Sequence, residues 1–318
     1  MTRRIVQQSF GGPEALELTK SEPLTAADLG QGEVLVDVVA AGVNPIDVMT
    51  RTGGGMAATG AVSLPFTPGW DAAGTVAALG SGVTGLAIGD RVFGLARFPR
   101  EGAAYAEQAV VSAADLIAAP ARFTDEQAGA FPMAAMTAWQ ALAETTHVAA
   151  GDRVLVTGAG GGVGHMAVQI AHALGAHVTA LASAGKHEWL RSLGADETVD
   201  YHDDDAVGAL AGTVDTALSL APGSREAALR AVRRAGDVVA LGLGATDLQP
   251  EAEEAGVRLS STHVHTQREW LEAVVDLAER GAITPLVSRT LDLADAADAH
   301  RAVEGGHSTG KIVLTTAY

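Results

Sequence analysis

The chain has 318 residues, is rich in glycine and poor in aromatics, and carries a formal net charge of −17 with no cysteine at all. That length accommodates two domains with a core each, and the lack of cysteine excludes disulfides and thiolate chemistry. The negative charge argues against nucleic acid and anionic lipid as partners, because both call for a cationic surface. No apolar run reaches membrane-spanning length, and Thr2-Arg3-Arg4 is not followed by the apolar stretch of a signal peptide, so a cytoplasmic location is expected.

In chain order, residues 3–9 and 15–20 alternate as two strands joined through Gly11-Gly12-Pro13. Further strands are predicted over 32–42, 74–80, 89–94 and 105–111. Short strands separated by Gly and Pro turns point to a β-rich, barrel-like first domain. At Thr124 the pattern changes. Thr124-Asp-Glu-Gln127 has the spacing of a capping box, and Met133 to Glu144 is helical by periodicity. Strand and helix then alternate, with strands near 154–157, 177–182, 197–200, 214–219, 237–242 and 257–263, the pattern of a doubly wound parallel α/β sheet. Gln267 to Gly281 reads as an amphipathic helix and Gly310 to Leu314 as a closing strand, both expected to return to the first domain. The expected domains are 1–121 with 267–318, and 122–266.

The densest signal follows the strand Val154–Thr157. Five glycines lead into a helix whose apolar face is Val163, Ala167, Ile170 and Ala171, in the spacing Gly158-x-x-Gly161-x-x-Gly164. Glycines at such a junction let the backbone approach a pyrophosphate, and the helix N-terminus offers unpaired N–H groups and a positive dipole end. Gly158, Gly160, Gly161, Gly162, Val163 and Gly164 are therefore candidate dinucleotide-binding residues. The next strand ends at Ser183 rather than at an acid, and Lys186 and His187 follow. A carboxylate there would select the ribose 2′-hydroxyl of NAD, whereas a cation favours a 2′-phosphate, so NADPH is expected. The alternative for Lys186 is a solvated surface lysine. Tyr201 ends the third strand on the same edge and is expected to bond the same phosphate, or to be an ordinary rim tyrosine. No metal site is expected: the pairs His263/His265 and His165/His172 lack a third ligand.

Several segments together resemble the quinone oxidoreductase branch of the medium-chain dehydrogenase/reductase superfamily. They are Ala41-Gly-Val-Asn-Pro-Ile-Asp47, Thr67-Pro-Gly-Trp-Asp-Ala-Ala-Gly74, Gly102-Ala-Ala-Tyr-Ala-Glu107, Met136-Thr-Ala-Trp-Gln-Ala-Leu142, Gly158 to Gly164, and Gly310-Lys-Ile-Val-Leu314. The resemblance implies a GroES-like barrel domain beside a Rossmann-type domain, and a homodimer paired through the sixth strand of the sheet. It also implies zinc independence. Zinc-dependent relatives carry Cys where this chain has Asn44, Gly-His-Glu where it has Gly69-Trp70-Asp71, and Cys near Met133. Without a Lewis acid, reduction of a quinone or an α,β-unsaturated carbonyl is easier than polarising an alkoxide, since conjugation spreads the incoming charge.

By the same resemblance, Asn44 is expected near the acceptor oxygen or the nicotinamide ribose as an amide donor, or else as a turn residue before Pro45. Thr137 is expected under the nicotinamide or phosphates, or as a helix-surface hydroxyl. Leu241, Gly242 and Leu243 end the fifth strand where the nicotinamide should lie, and Lys311 is expected to reach the pyrophosphate or to be a surface lysine. Phe66, Arg97, Phe98 and Tyr105 are candidate pocket residues for a small-molecule quinone or enone. The alternative functions are a catalytically weak NADPH-binding sensor or structural protein, and an alcohol dehydrogenase.

Overall fold

The computed structural model describes residues 1–221, 223–241, 248–262 and 264–316. In chain order the elements are β1 (Thr2–Gln7), β2 (Leu16–Ser21), β3 (Glu33–Val43), α1 (Pro45–Arg51), α2 (Gly55–Ala58), β4 (Asp71–Leu79), β5 (Arg91–Leu95), β6 (Gln108–Ser112) and β7 (Leu116–Ala118). There follow α3 (Asp125–Ala130), α4 (Pro132–Trp139), β8 (Arg153–Thr157), α5 (Gly162–Ala173), β9 (His177–Leu181), α6 (His187–Ser192), β10 (Glu197–Val199), α7 (Asp204–Gly208) and β11 (Val214–Ser219). The last are α8 (Arg225–Ala231), β12 (Val232–Leu241), α9 (Gln249–Ala255), β13 (Arg258–Thr262), α10 (Arg268–Glu279), β14 (Val287–Asp292), α11 (Ala296–Glu304) and β15 (Lys311–Thr315). They fall into two compact units: Met1–Met133 with His265–Val275 and Pro285–Tyr318, and Ala134–Val264 with Asp276–Thr284.

Unit 1 is built on β3. Its sheet runs β14-β15-β3-β4-β5-β7, with β6 also paired to β3, and β1 and β2 form a separate antiparallel hairpin. Val34, Val36 and Val38 of β3 meet Ile5, Val76, Val92, Val111, Ile312 and Leu314 in one apolar core. Each such burial contributes about 1.5–3 kcal/mol. Helix α3 opens on the expected box: Gln127 N donates to Thr124 Oγ1 (3.2 Å) and Thr124 N to Gln127 Oε1 (3.0 Å). A Cβ on Gly129 would lie 2.9 Å from Ala40, so glycine alone lets α3 rest on β3. That contact carries unit 1 to Met133, past the boundary at 121 read from the change of pattern.

Unit 2 is a six-stranded, wholly parallel sheet in the order β10-β9-β8-β11-β12-β13. The chain leaves β8 first toward β9 and later returns to β11 on its other side, which makes β8/β11 the switch point where ligands bind at the carboxyl ends of strands. Leu155, Leu181, Val214, Ala217 and Val238 fill the core under it.

Three expectations change. The helix over 133–144 is α-helical only to Trp139, and Gln140–Thr145 is a π-helical stretch in which Thr146 Oγ1 bonds Ala141 O (2.9 Å). Strand β14 and helix α11 were not foreseen. The strand carries the polar run Ser288-Arg289-Thr290 at the sheet's edge, and the helix buries a face made only of Ala296, Ala299 and His300. Helix α10 divides between the units, while β15 pairs with β3 in unit 1. The expected strand ends at 242 and 263, and with them Gly242, Leu243 and His263, lie outside the described residues. Among the described residues no helix is long and apolar enough to cross a membrane.

Candidate cofactor and active site

In unit 2 the carboxyl end of β8 forms a glycine cradle. Gly158 takes φ +60°, Gly161 N bonds Gly158 O (2.9 Å), and Gly161 caps the twelve-residue α5. A Cβ on Gly164 would sit 2.2 Å from Gly158 O and 2.7 Å from Ala159 Cα, so the helix approaches the strand closely only because that atom is missing. His165 locks the turn, its Nδ1 at 2.9 Å from Gly161 O, and stacks on Trp189 with ring centroids 6.0 Å apart. At the switch point Thr157 Oγ1 lies 3.0 Å from Leu218 O, accepts from Leu220 N (3.0 Å) and lies 2.8 Å from Ser224 Oγ. This hydroxyl knot ties the end of β8 to the end of β11. It was not foreseen, although a threonine closing the buried strand is its one local signal.

The selectivity segment borders this cradle. Ser183 precedes a single tight turn in which Lys186 N bonds Ser183 O (2.9 Å), and His187 Nε2 lies 3.0 Å from Ala182 O. A Cβ on Gly160 would meet Lys186 Cδ at 2.5 Å and Nζ at 3.2 Å. The lysine therefore crosses the glycine turn, and partial burial holds its pKa below the ordinary lysine range. Tyr201 is exposed and lies against His202, ring centroids 4.0 Å apart. Asp200 accepts from Ala184 N (3.3 Å), His202 N (3.0 Å) and His202 Nδ1 (2.8 Å), joining the Ser183 turn to the Tyr201 turn. A cradle that a Cβ on Gly164 would obstruct, a long helix starting at it and a lysine across it suit a dinucleotide phosphate chain. Leu241 closes β12 in the same unit, and Thr137 is buried on α4.

Unit 1 holds a buried polar cluster. Asp71 accepts from Met133 N (2.7 Å) at Oδ1, and from Asn44 Nδ2 (2.9 Å) and Lys311 Nζ (3.2 Å) at Oδ2. Lys311 also donates to Val43 O (3.2 Å) and Asn44 Oδ1, which uses all three of its N–H bonds. Asp47 accepts from Asn44 N (2.7 Å) and Tyr105 OH (3.1 Å), and the same phenol lies 3.3 Å from His300 Nε2. Arg51 bonds Gly11 O (3.1 Å) and Glu304. Burial pushes the Asp47 carboxyl up to about 7, helped by the Asp71 charge, and pulls the His300 imidazole down to about 3, helped by the Arg51 guanidinium. Burial likewise raises the Tyr105 phenol.

This cluster corrects several expectations. Asn44 is no free donor: its amide is spent on Asp71, Lys311 and, at 3.4 Å, Gly42 O. Lys311 is 3% exposed and paired with Asp71, so it is not a surface lysine, and its ammonium has no donor left for a pyrophosphate. Tyr105 is fully buried rather than pocket-lining, because its ring packs where Gly69 has no Cβ: the missing atom would lie 2.3 Å from Tyr105 Cδ1. Phe66 is also buried, its backbone bonded to Gln7 (2.8 and 3.2 Å). Arg97, at φ +51° and with its N–H on Asp115 (3.0 Å), and Phe98, edge-on to Trp70 at 5.4 Å, are half-buried. Asp47 was legible as the acid three residues into the helix that Asn44 opens. Arg51, His300 and Glu304 had no local signal, since their partners lie far away in sequence.

Residues 30–121 match the alcohol dehydrogenase GroES-like domain family, and residues 193–314 the zinc-binding dehydrogenase family. The chain is 36% identical over 323 residues to part of polyketide synthase GfsB of Streptomyces halstedii, but spans only 6% of that protein's length. It is 32% identical over 318 residues to the chloroplastic NADPH-dependent alkenal/one oxidoreductase of Arabidopsis thaliana, covering 97% of this chain and 78% of that one. The quinone oxidoreductase structure from Coxiella burnetii superposes with a TM-score of 0.90 at 31% identity, over 99% of both chains. Two dehydrogenase family matches, together with a relative of this identity covered over most of its length, leave one conclusion: the chain belongs to the medium-chain dehydrogenase/reductase superfamily.

Proposed function

We propose that the chain is an NADPH-dependent reductase of quinones or α,β-unsaturated carbonyls that works without zinc. The observation that carries the reading is the Asp71–Lys311–Asn44 cluster. Asp71 is the one carboxylate among the residues standing at the zinc-ligand positions of zinc-dependent relatives, and both of its oxygens are taken by Met133 N, Asn44 and Lys311. Trp70, at another such position, donates its indole N–H to Arg100 O (2.6 Å). A buried ammonium thus supplies the positive charge there, matched by Asp71. NADPH, when bound, supplies a hydride. The glycine cradle offers the N–H groups at the start of α5 to its phosphates, and Ser183, Lys186 and Tyr201 are proposed to hold the 2′-phosphate. Arg97 and Phe98 remain the candidates beside the acceptor. The names of the plant reductase and of the Coxiella structure support both the cofactor and the acceptor class.

The test is NADPH consumption with 1,4-benzoquinone and with a simple enone, before and after exhaustive chelation. Turnover that persists without metal supports the reading; turnover lost to the chelator and restored by zinc overturns it. We also propose a homodimer. Strand β13 ends the parallel sheet, so its outer N–H and C=O groups are open to a second copy, and it contains no proline or lysine to block them.

A further inference from the structure

We propose that Asp47 and His300 form a single proton-holding couple at the centre of unit 1, bridged by Tyr105, which anchors α1 without leaving an unmatched charge. The charged and titratable groups facing the couple are Asp47 and Arg51 on α1, Asp71 on β4, Tyr105, His300 and Glu304 on α11, and Lys311 on β15. Two ion pairs, Asp71–Lys311 (3.2 Å) and Arg51–Glu304, already match every cation to an anion. An ionised Asp47 has no counter-charge left, and neither has a protonated His300. A buried, unmatched charge is costly, so the low-energy state has both neutral, with the proton on the carboxyl.

The bonding allows that state and its alternative to interconvert. Tyr105 OH lies 3.1 Å from Asp47 Oδ2 and 3.3 Å from His300 Nε2, so it can donate to one while accepting from the other. Starting from imidazolium and carboxylate, the phenolic proton passes to Asp47, and the Nε2 proton replaces it on tyrosine. One N–H and one O–H break, two O–H bonds form, and both charges vanish. Asp47 Oδ1 and His300 Nδ1 are buried with no hydrogen-bond partner, so neither atom adds a bond to an ionic form; the Asn44 N–H on Oδ2 and the Lys311 charge favour the carboxylate, but burial outweighs them.

The two titrations act on stability in opposite directions. Asp47 is raised from 3.8 to about 7, so its contribution is present below 3.8 and is lost as pH rises through 7. His300 is lowered from 6.5 to about 3, so its contribution is present above 6.5 and is lost as pH falls through 3. Over the shared window the two offset, and unit 1 gains a pH tolerance that neither residue has alone.

Urea unfolding of the full chain between about pH 4.5 and 6.5 tests this in the parent, D47N, H300Q and the double variant. One proton corresponds to a tenfold change in the folded-to-unfolded ratio per pH unit. Relative to the parent, D47N should gain roughly tenfold per unit of rising pH, H300Q should lose roughly tenfold, and the double variant should run parallel to the parent. A merely structural role would shift all curves without altering their slopes, and parallel single variants overturn the proposal. In the parent, ¹⁵N-histidine spectra should show His300 neutral at pH 5; an imidazolium there overturns the couple even if a variant fails to fold.

Discussion

Replacing Lys311 with methionine removes an ammonium while keeping most of the alkyl stem, so packing changes should cost less than about 1.5 kcal/mol. The electrostatic consequence is larger. Lys311 is 3% exposed and Asp71 fully buried, and among the described residues their contact at 3.2 Å is the one that brings a positive charge to that carboxylate. Without it, Asp71 keeps the N–H of Met133 at 2.7 Å and the amide of Asn44 at 2.9 Å, but loses its counter-charge in the core. Breaking a buried pair in this way costs about 3–5 kcal/mol, whereas removing both charges is far milder. K311M should therefore lose about 3–5 kcal/mol, and adding D71N should recover at least about 2 kcal/mol of it. Urea unfolding followed by tryptophan fluorescence reads this out, since buried Trp70 adjoins Asp71 in sequence and reports on unit 1. A loss below about 1 kcal/mol, as for an exposed pair, or additive effects of the two substitutions would refute the reasoning.

Other expectations follow from the cradle and the sheet edge. Gly164→Ala drives a Cβ to within 2.2 Å of Gly158 O, a backbone atom that cannot swing away, and should cost about 1–3 kcal/mol and weaken NADPH binding at least tenfold by calorimetry. The dissociation constant for NADPH should be roughly 10- to 100-fold below that for NADH, about 1.4–2.8 kcal/mol, and K186A should narrow that ratio; equal constants in the parent would contradict the assignment. In sedimentation, a ~32 kDa monomer at micromolar concentration would exclude pairing through β13, whereas a dimer that Ser261→Pro dissociates would support it.

The nucleotide-binding half was legible because its signals are local. Short continuous apolar runs, glycines at a strand–helix junction and the small residue ending β9 are read within a few positions of one another, and the parallel sheet followed from the alternation of strand and helix. The capping box at Thr124 was legible for the same reason. The resemblance to zinc-dependent relatives also pointed to Asn44, Trp70 and Met133 as standing where those relatives carry ligand-type residues. Tertiary structure decided the rest. Lys311 reads as a pyrophosphate contact or a surface lysine until β15 is laid against β3, and only then does its ammonium meet Asp71 and Asn44. Tyr105 looked like a pocket residue until Gly69 left room for its ring, and His300 stood on a helix that was not foreseen. Buried polar contacts such as that of Lys311 with Val43, 268 positions apart, leave no periodicity behind, because what selects them is the cost of an unpaired charge in the folded core.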